Sequence, residues 1–194
     1  MIVLALGKRN KMTTTPKTIA PKSRKKWREW LEKNHHRKLT IWVACSKKNA
    51  AKPALAYTDA VEEALCFGWI DAQTLSLDED RFLQSFTKRK PQSIWSKSNK
   101  ERVAKLISEG QMTPAGLESI EIAKNNGYWS IMDEVDALVI PEDLQKEFRR
   151  RPAAKAWFSG LSRSEKKLIL QSLVLAKRPE TRLKRISGIG PAEE

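Results

Sequence analysis

Large apolar side chains fall along this chain in short phased groups, and the phase changes from one group to the next. Trp27, Trp30 and Leu31 stand at i, i+3 and i+4 behind Ser23, a good N-cap, and predict a helix from near Ser23 to about Asn34. Leu39-Thr40-Ile41-Trp42-Val43-Ala44-Cys45 is β-branched and aromatic between polar borders, which is a strand pattern. After a loop at 47–53, Asp59 and Glu62 have capping-box spacing, and the helix they open runs through Leu65 and stops before Gly68. Gly68 lets the chain turn straight into Trp69-Ile70-Asp71-Ala72-Gln73. The run to Leu77, the acidic turn Asp78-Glu79-Asp80 and residues 81–86 read as a hairpin, with a helical turn over 81–86 as the alternative. Together with residues 39–45 the hairpin makes a small antiparallel sheet.

From there the period is helical. Ser98 and Glu101 form another capping box, with Val103, Leu106 and Ile107 on one face and Gly110 as terminator. Thr113-Pro114 opens a helix with proline at its first position, and Leu117, Ile120 and Ile122 supply its apolar residues up to Gly127. A looser connection from Trp129 to Val139 leads into helices at 142–150, 152–159, 164–177 and 179–186. Ser162 and Glu165 have capping-box spacing, Leu168, Ile169, Leu173 and Leu175 read mostly as core, and Gly188 ends the order. The expected fold is α+β, mostly helical: a small antiparallel sheet with helices packed around it, closed by a C-terminal helical subdomain. The expected division is a flexible basic tail at 1–21, a main domain at 22–138, a helical module at 139–188 and a disordered tail at 189–194. Met12 is an alternative start to Met1.

Composition narrows the class. With 194 residues and 40% apolar side chains, the chain is long enough to bury a real core. No apolar run approaches the roughly 18 residues that a membrane helix takes. The apolar opening 1–6 has its basic residues after it, the reverse of a secretory signal, so the expected location is cytoplasmic. Cys45 and Cys66, far apart, read as reduced core residues, and adjacent His35 and His36 as the polar end of the first helix. No metal or cofactor is implied.

The net charge of +14 is concentrated at the ends. Residues 1–40 carry twelve Lys/Arg against two Glu, residues 41–145 twelve against sixteen acids, and residues 146–185 thirteen against three. Packed side by side, the two ends would make one face for a polyanion. Lys177-Arg178-Pro179-Glu180-Thr181-Arg182-Leu183-Lys184-Arg185 is the densest run, either a solvated helix face or a phosphate footprint. Its nucleic-acid candidates are Lys177, Arg178, Arg182, Lys184 and Arg185.

The densest mixture of chemistry lies between Phe67 and Asn99. Trp69, Asp71, Lys88-Arg89-Lys90, Ser93, Trp95, Ser96 and Asn99 combine aromatic surface, one carboxylate, cations and hydroxyls around a glycine and a proline. Such a set is either a polar-capped core hairpin or a pocket wall for a small anionic or polar ligand, aided by the positive N-terminus of the following helix. Trp95, if exposed, would stack on a base or sugar. Asp71 is either a general base or the partner of Arg89 in an internal ion pair. Both histidines lie at the end of the first helix, which argues against a Ser-His-acid triad, and there is no phosphate loop.

Trp27-x-x-Trp30-Leu31, Glu63-Ala64-Leu65-Cys66-Phe67-Gly68-Trp69-Ile70-Asp71 and Arg89-x-x-x-Ser93-x-Trp95-Ser96-x-x-Asn99 together resemble the YdeI/OmpD-associated family. So do Gly110-x-Met112-x-x-Ala115-Gly116 and Ala176-Lys177-x-x-Glu180-Thr181-Arg182-x-x-Arg185-Ile186. The resemblance covers roughly 23–187, and the part after Pro141 looks like that family's helical module. It implies a small cytoplasmic bacterial protein of the bacteriocin-protection kind, linked to an outer-membrane protein only by name, and it implies no reaction. Thr87-Lys88-Arg89 departs from the Thr-Pro-Arg expected there: the loop loses proline's rigidity and gains a charge. Three functional readings follow: a non-catalytic stress or bacteriocin-protection protein with an anion pocket, a nucleic-acid binder using both basic ends, and a small enzyme with Asp71 as base.

Overall fold

The computed structural model describes residues 17–51 and 53–191, which fall into two compact units, 17–129 and 130–191. Residues 1–16, most of the expected basic tail, and 192–194 lie outside the described residues.

In the first unit a four-stranded sheet has the order β1-β2-β4-β3, with β1 Thr18–Ile19, β2 Thr40–Ser46, β3 Trp69–Ser76 and β4 Arg81–Lys88. The hairpin forms as strands, so the helical alternative for 81–86 falls away. The sheet is mixed rather than antiparallel throughout, because Thr18 and Ile19, expected in the tail, pair parallel to Trp42 and Val43. Side chains alternate across β2. Ile41, Val43 and Cys45 enter the main core with Phe86, while Trp42 and Ala44 join Leu83 in a second cluster. Burial on both faces explains why β2 is an unbroken apolar run.

Helices α1 Arg24–Asn34, α2 Tyr57–Cys66, α3 Lys97–Ser108 and α4 Pro114–Asn125 complete the unit. The α1 stripe is as read: Trp27 and Leu31 are fully buried, and Trp27 stacks on Trp30 at 5.2 Å while its indole N–H donates to Ala60 O at 3.0 Å. Burial of each of Leu31, Ile41 and Phe86 contributes about 1.5–3 kcal/mol. Three caps or faces differ from expectation. The α2 capping box is absent, because Asp59 pairs with Arg24 and Ala56 stands at the cap. Ser96, not Ser98, caps α3, its Oγ accepting from Asn99 N. Gly116, Ile120 and Ala123 form the buried face of α4, leaving Leu117 and Ile122 exposed, and Ile107 of α3 is exposed too. Cys45 and Cys66 are free, buried thiols.

A buried carboxylate pins α1 to α2. Glu63 is 2% exposed and accepts from Arg24 Nε at 2.6 Å and Arg28 Nη1 at 2.8 Å. The same arginines reach Gln111 after α3, through Arg24 Nη2 to its side chain and Arg28 Nη2 to its carbonyl.

The second unit is helical: α5 Asp133–Asp136, α6 Glu142–Arg150, α7 Pro152–Gly160, α8 Arg163–Val174 and α9 Pro179–Ser187. The Ser162–Glu165 capping box forms as the spacing predicts. Leu144, Phe148, Phe158, Leu170, Leu173 and Ile186 are buried, whereas Leu168, read as core, is 59% exposed. Ile189, expected in the tail, is buried. The architecture is therefore α+β and mostly helical. Among the described residues no helix is long and apolar enough to cross a membrane.

Candidate functional site

The segment after β4 is built as a cradle for one cation. Lys88 is the last paired residue of β4, opposite Trp69, and Arg89 N then donates to Gly68 O at 2.9 Å. A tight turn follows: Ser93 N donates to Lys90 O at 2.9 Å, and Lys90 N to Ser93 Oγ at 3.0 Å, with Pro91 supplying the fixed φ of its second position. Asn126 Nδ2 at the end of α4 donates to Pro91 O at 2.7 Å and ties the turn down. The chain then buries Trp95, which is 1% exposed and tilted against Trp129 at 5.0 Å.

The Arg89 guanidinium carbon lies over Trp95, 3.6 Å from the ring centroid. The residue is 8% exposed. Its Nη1 donates to Ile94 O at 3.2 Å, but Nε and Nη2 are buried without a hydrogen-bond partner. Those two nitrogens form one edge of the guanidinium, the parallel donor pair that grips a carboxylate or phosphate side-on. Burial pulls the Arg89 pKa down to about 10, opposed by the charge of Asp71.

Arg89 also forms part of the wall of an open cleft of about 550 Å³. The strand side is Lys38, Leu39, Thr40, Gly68 and residues 87–91; the helix side is Ala115, Glu118, Ser119 and Ile122, one face of α4. Two glycines let α4 come this close. A Cβ on Gly68, which sits at φ +71°, would lie 2.8 Å from Ala115 O, and one on Gly116 would collide with the Cys66 carbonyl. Thr113 Oγ1 donates to that same carbonyl at 2.6 Å, seating α4 on the end of α2. The wall carries Lys38, Lys88, Arg89 and Lys90 against a single acid, Glu118. Among the described residues, none forms an ion pair with the three exposed lysines.

Of the residues singled out in the sequence, Arg89 and Trp95 line the cleft; Trp69, Asp71, Ser93, Ser96 and Asn99 stand outside its walls. Trp69 is fully buried, its indole N–H donating to His35 O at 3.0 Å. Asp71 is half-buried and accepts from Tyr57 Oη at 2.8 Å; it makes no ion pair with Arg89 within 4 Å and acts on it only through space. Ser93 closes the turn, Ser96 caps α3, and Asn99 accepts from Arg102 at 3.0 Å. Trp95 has no open face for stacking. Lys38 and the α4 face were not foreseen, because no local pattern links residues so far apart in the chain. The Glu63 clamp left one faint sign, the i, i+4 spacing of Arg24 and Arg28.

In the basic run, Arg182 grips Asp143 with two hydrogen bonds, at 2.5 and 2.9 Å, and donates to Leu173 O at 2.8 Å. Arg185 Nη1 donates to Ser172 O, while Arg178 stands at the α9 cap and Lys184 is exposed. Arg182 and Arg185 thus tie α9 to α6 and α8, and Lys177 too has an interaction of its own.

A mixed sheet clasped by helices, with a cationic cleft at the strand ends, and a second all-helical unit define a two-unit α+β protein. The chain belongs to the family described as Domain of unknown function (DUF8412), whose model matches residues 19–119. Residues 137–190 match the family described as Bacteriocin-protection, YdeI or OmpD-Associated, which bears out the resemblance for the motif at 176–186, whereas the four motifs between Trp27 and Gly116 lie in the stretch matched by the first family. No curated protein and no solved structure matches the chain.

Proposed function

We propose that the 17–129 unit is a receptor for a small anion, and that the chain is a cytoplasmic, non-catalytic stress protein of the bacteriocin-protection kind. The observation that carries the binding role is the unpartnered Nε/Nη2 edge of Arg89. A buried N–H without a partner costs about 1–3 kcal/mol, and a charged one more, so an anion that engages both recovers that cost on binding. Nε and Nη2 are closed off from solvent as they stand, so this reading requires the guanidinium, itself part of the wall, to slide across the Trp95 face and bring the edge to a ligand in the cleft. The three unpaired lysines draw anions toward the same opening. The general-base reading of Asp71 finds less support, since its carboxylate is engaged by Tyr57 outside the cleft. The protective role rests on the match over 137–190.

Isothermal titration calorimetry of the full chain with small anions, at constant ionic strength, tests the binding role. Saturable binding that Arg89→Met abolishes is expected. Binding that survives Arg89→Met, or no binding to the wild type, refutes it. For the protective role, a bacteriocin-sensitive host expressing the wild type should outlive one expressing Arg89→Met; equal survival refutes the link between cleft and protection.

A further inference from the structure

We infer that the anion is a phosphomonoester with a hydroxylated, non-aromatic body, an inference that rests on the anion-receptor reading above and narrows it. Charge and oxygen count come first. The wall sets Arg89 and Lys38, Lys88 and Lys90 against Glu118 alone. A carboxylate brings one charge and two oxygens, which the free Arg89 edge already satisfies. A phosphomonoester brings between about −1.5 and −2 and three terminal oxygens. Two of those meet Arg89 Nε and Nη2, and the third is left for a lysine, which binds phosphate as a point charge.

Glu118 then orders the rest of the ligand. Its carboxylate is an acceptor only, so it repels the phosphate and faces the uncharged end, where it takes hydrogen bonds from hydroxyl groups. The body is not a flat base held by stacking. Trp95 is the aromatic residue of the cleft wall, and its ring is covered by Arg89 and packed against Trp129. A cleft of about 550 Å³ has room for a body of this kind beside the phosphate.

The test is calorimetry of the full chain with inorganic phosphate, glycerol 3-phosphate, adenosine monophosphate and acetate, at constant ionic strength. Phosphate is expected to bind at least about tenfold more tightly than acetate, and glycerol 3-phosphate more tightly than both phosphate and adenosine monophosphate. Lys88→Gln and Lys90→Gln should weaken phosphate severalfold more than they weaken acetate, and an equal loss for both ligands overturns the lysine contact to the third oxygen. Glu118→Gln should remove the advantage of glycerol 3-phosphate over inorganic phosphate. Acetate binding as tightly as phosphate overturns this inference while leaving the anion receptor standing. Adenosine monophosphate binding best overturns the non-aromatic body. Loss of all binding, in a wild type that is folded by its thermal transition, overturns both readings together.

Discussion

Arg89→Met should leave the stability of the protein almost unchanged, although the side chain it removes is 8% exposed. The magnitude follows from what the guanidinium has and lacks. Its Nε and Nη2 are shut away without partners, and each such group costs about 1–3 kcal/mol. Methionine removes that cost, and also loses the charged hydrogen bond to Ile94 O, about 1.5–3 kcal/mol, and the stack on Trp95, about 2 kcal/mol when desolvated. These terms nearly cancel, so the expected change is within about 1 kcal/mol of zero, or about 2–4 °C in Tm. Glu63→Gln is the control, a buried charge whose partners are in place. Losing one partner of a buried pair costs about 3–5 kcal/mol. Arg24 and Arg28 keep 33% and 31% exposure, and Arg24 retains Glu62 at 2.7 Å, which reduces the expected loss to about 2–3 kcal/mol. The assay is urea unfolding followed by tryptophan fluorescence, which reports the first unit because Trp27, Trp30, Trp42, Trp69, Trp95 and Trp129 all lie there. A loss of about 3 kcal/mol or more in Arg89→Met would refute the idea of an unmet valence at this site.

Gly116→Ala gains about 1 kcal/mol of helix propensity but drives a methyl into the Cys66 carbonyl, so a lower urea midpoint and weaker anion binding are expected; a stabilised variant would contradict the close approach. Arg182→Met should cost the 130–191 unit about 1–2 kcal/mol, discounted because both partners are part-exposed, as read from amide hydrogen exchange of α8 and α9. The Arg182 hydrogen bond also holds the Asp143 carboxyl below its ordinary value. The stability this supplies is present above that ordinary value and is lost as pH falls through the folded-state value; an unchanged acid profile in Arg182→Met would disprove the link. Burial, then the hydrogen bond to Asp71, pushes the Tyr57 pKa up to about 12. A raised value stabilises below the ordinary pKa of about 10 and stops doing so as pH rises toward the folded value, so Tyr57→Phe should flatten part of the alkaline loss of stability. Burial of Cys45 and Cys66, pushed to about 12 and about 11, accounts for an earlier part.

Much of the fold was legible along the chain. The Trp27-Trp30-Leu31 stripe, the apolar run of β2, the turn at Gly68 and the Ser162 capping box all depend on neighbours within a few residues, and local order is enough to reveal them. Errors arose where a tertiary partner outbid a local preference. Asp59 has capping-box spacing but is claimed by Arg24, and Leu117, Ile122 and Leu168, apolar and in phase, are exposed. The candidate site divided in the same way.

By itself the sequence determined most of the helices and the long strands, that Arg89 stands in a loop rich in cations and hydroxyls beside Trp95, and that the C-terminal part is helical and similar to the Bacteriocin-protection, YdeI or OmpD-Associated family. Only the tertiary structure decided that Ser93, Ser96 and Asn99 serve the backbone, that Asp71 answers Tyr57, and that Lys38 and one face of α4 meet Arg89 around a cleft. The physical reason is that hydrogen bonding and burial are shared between segments distant in sequence. Whether a buried cation is satisfied depends on every group that packs around it.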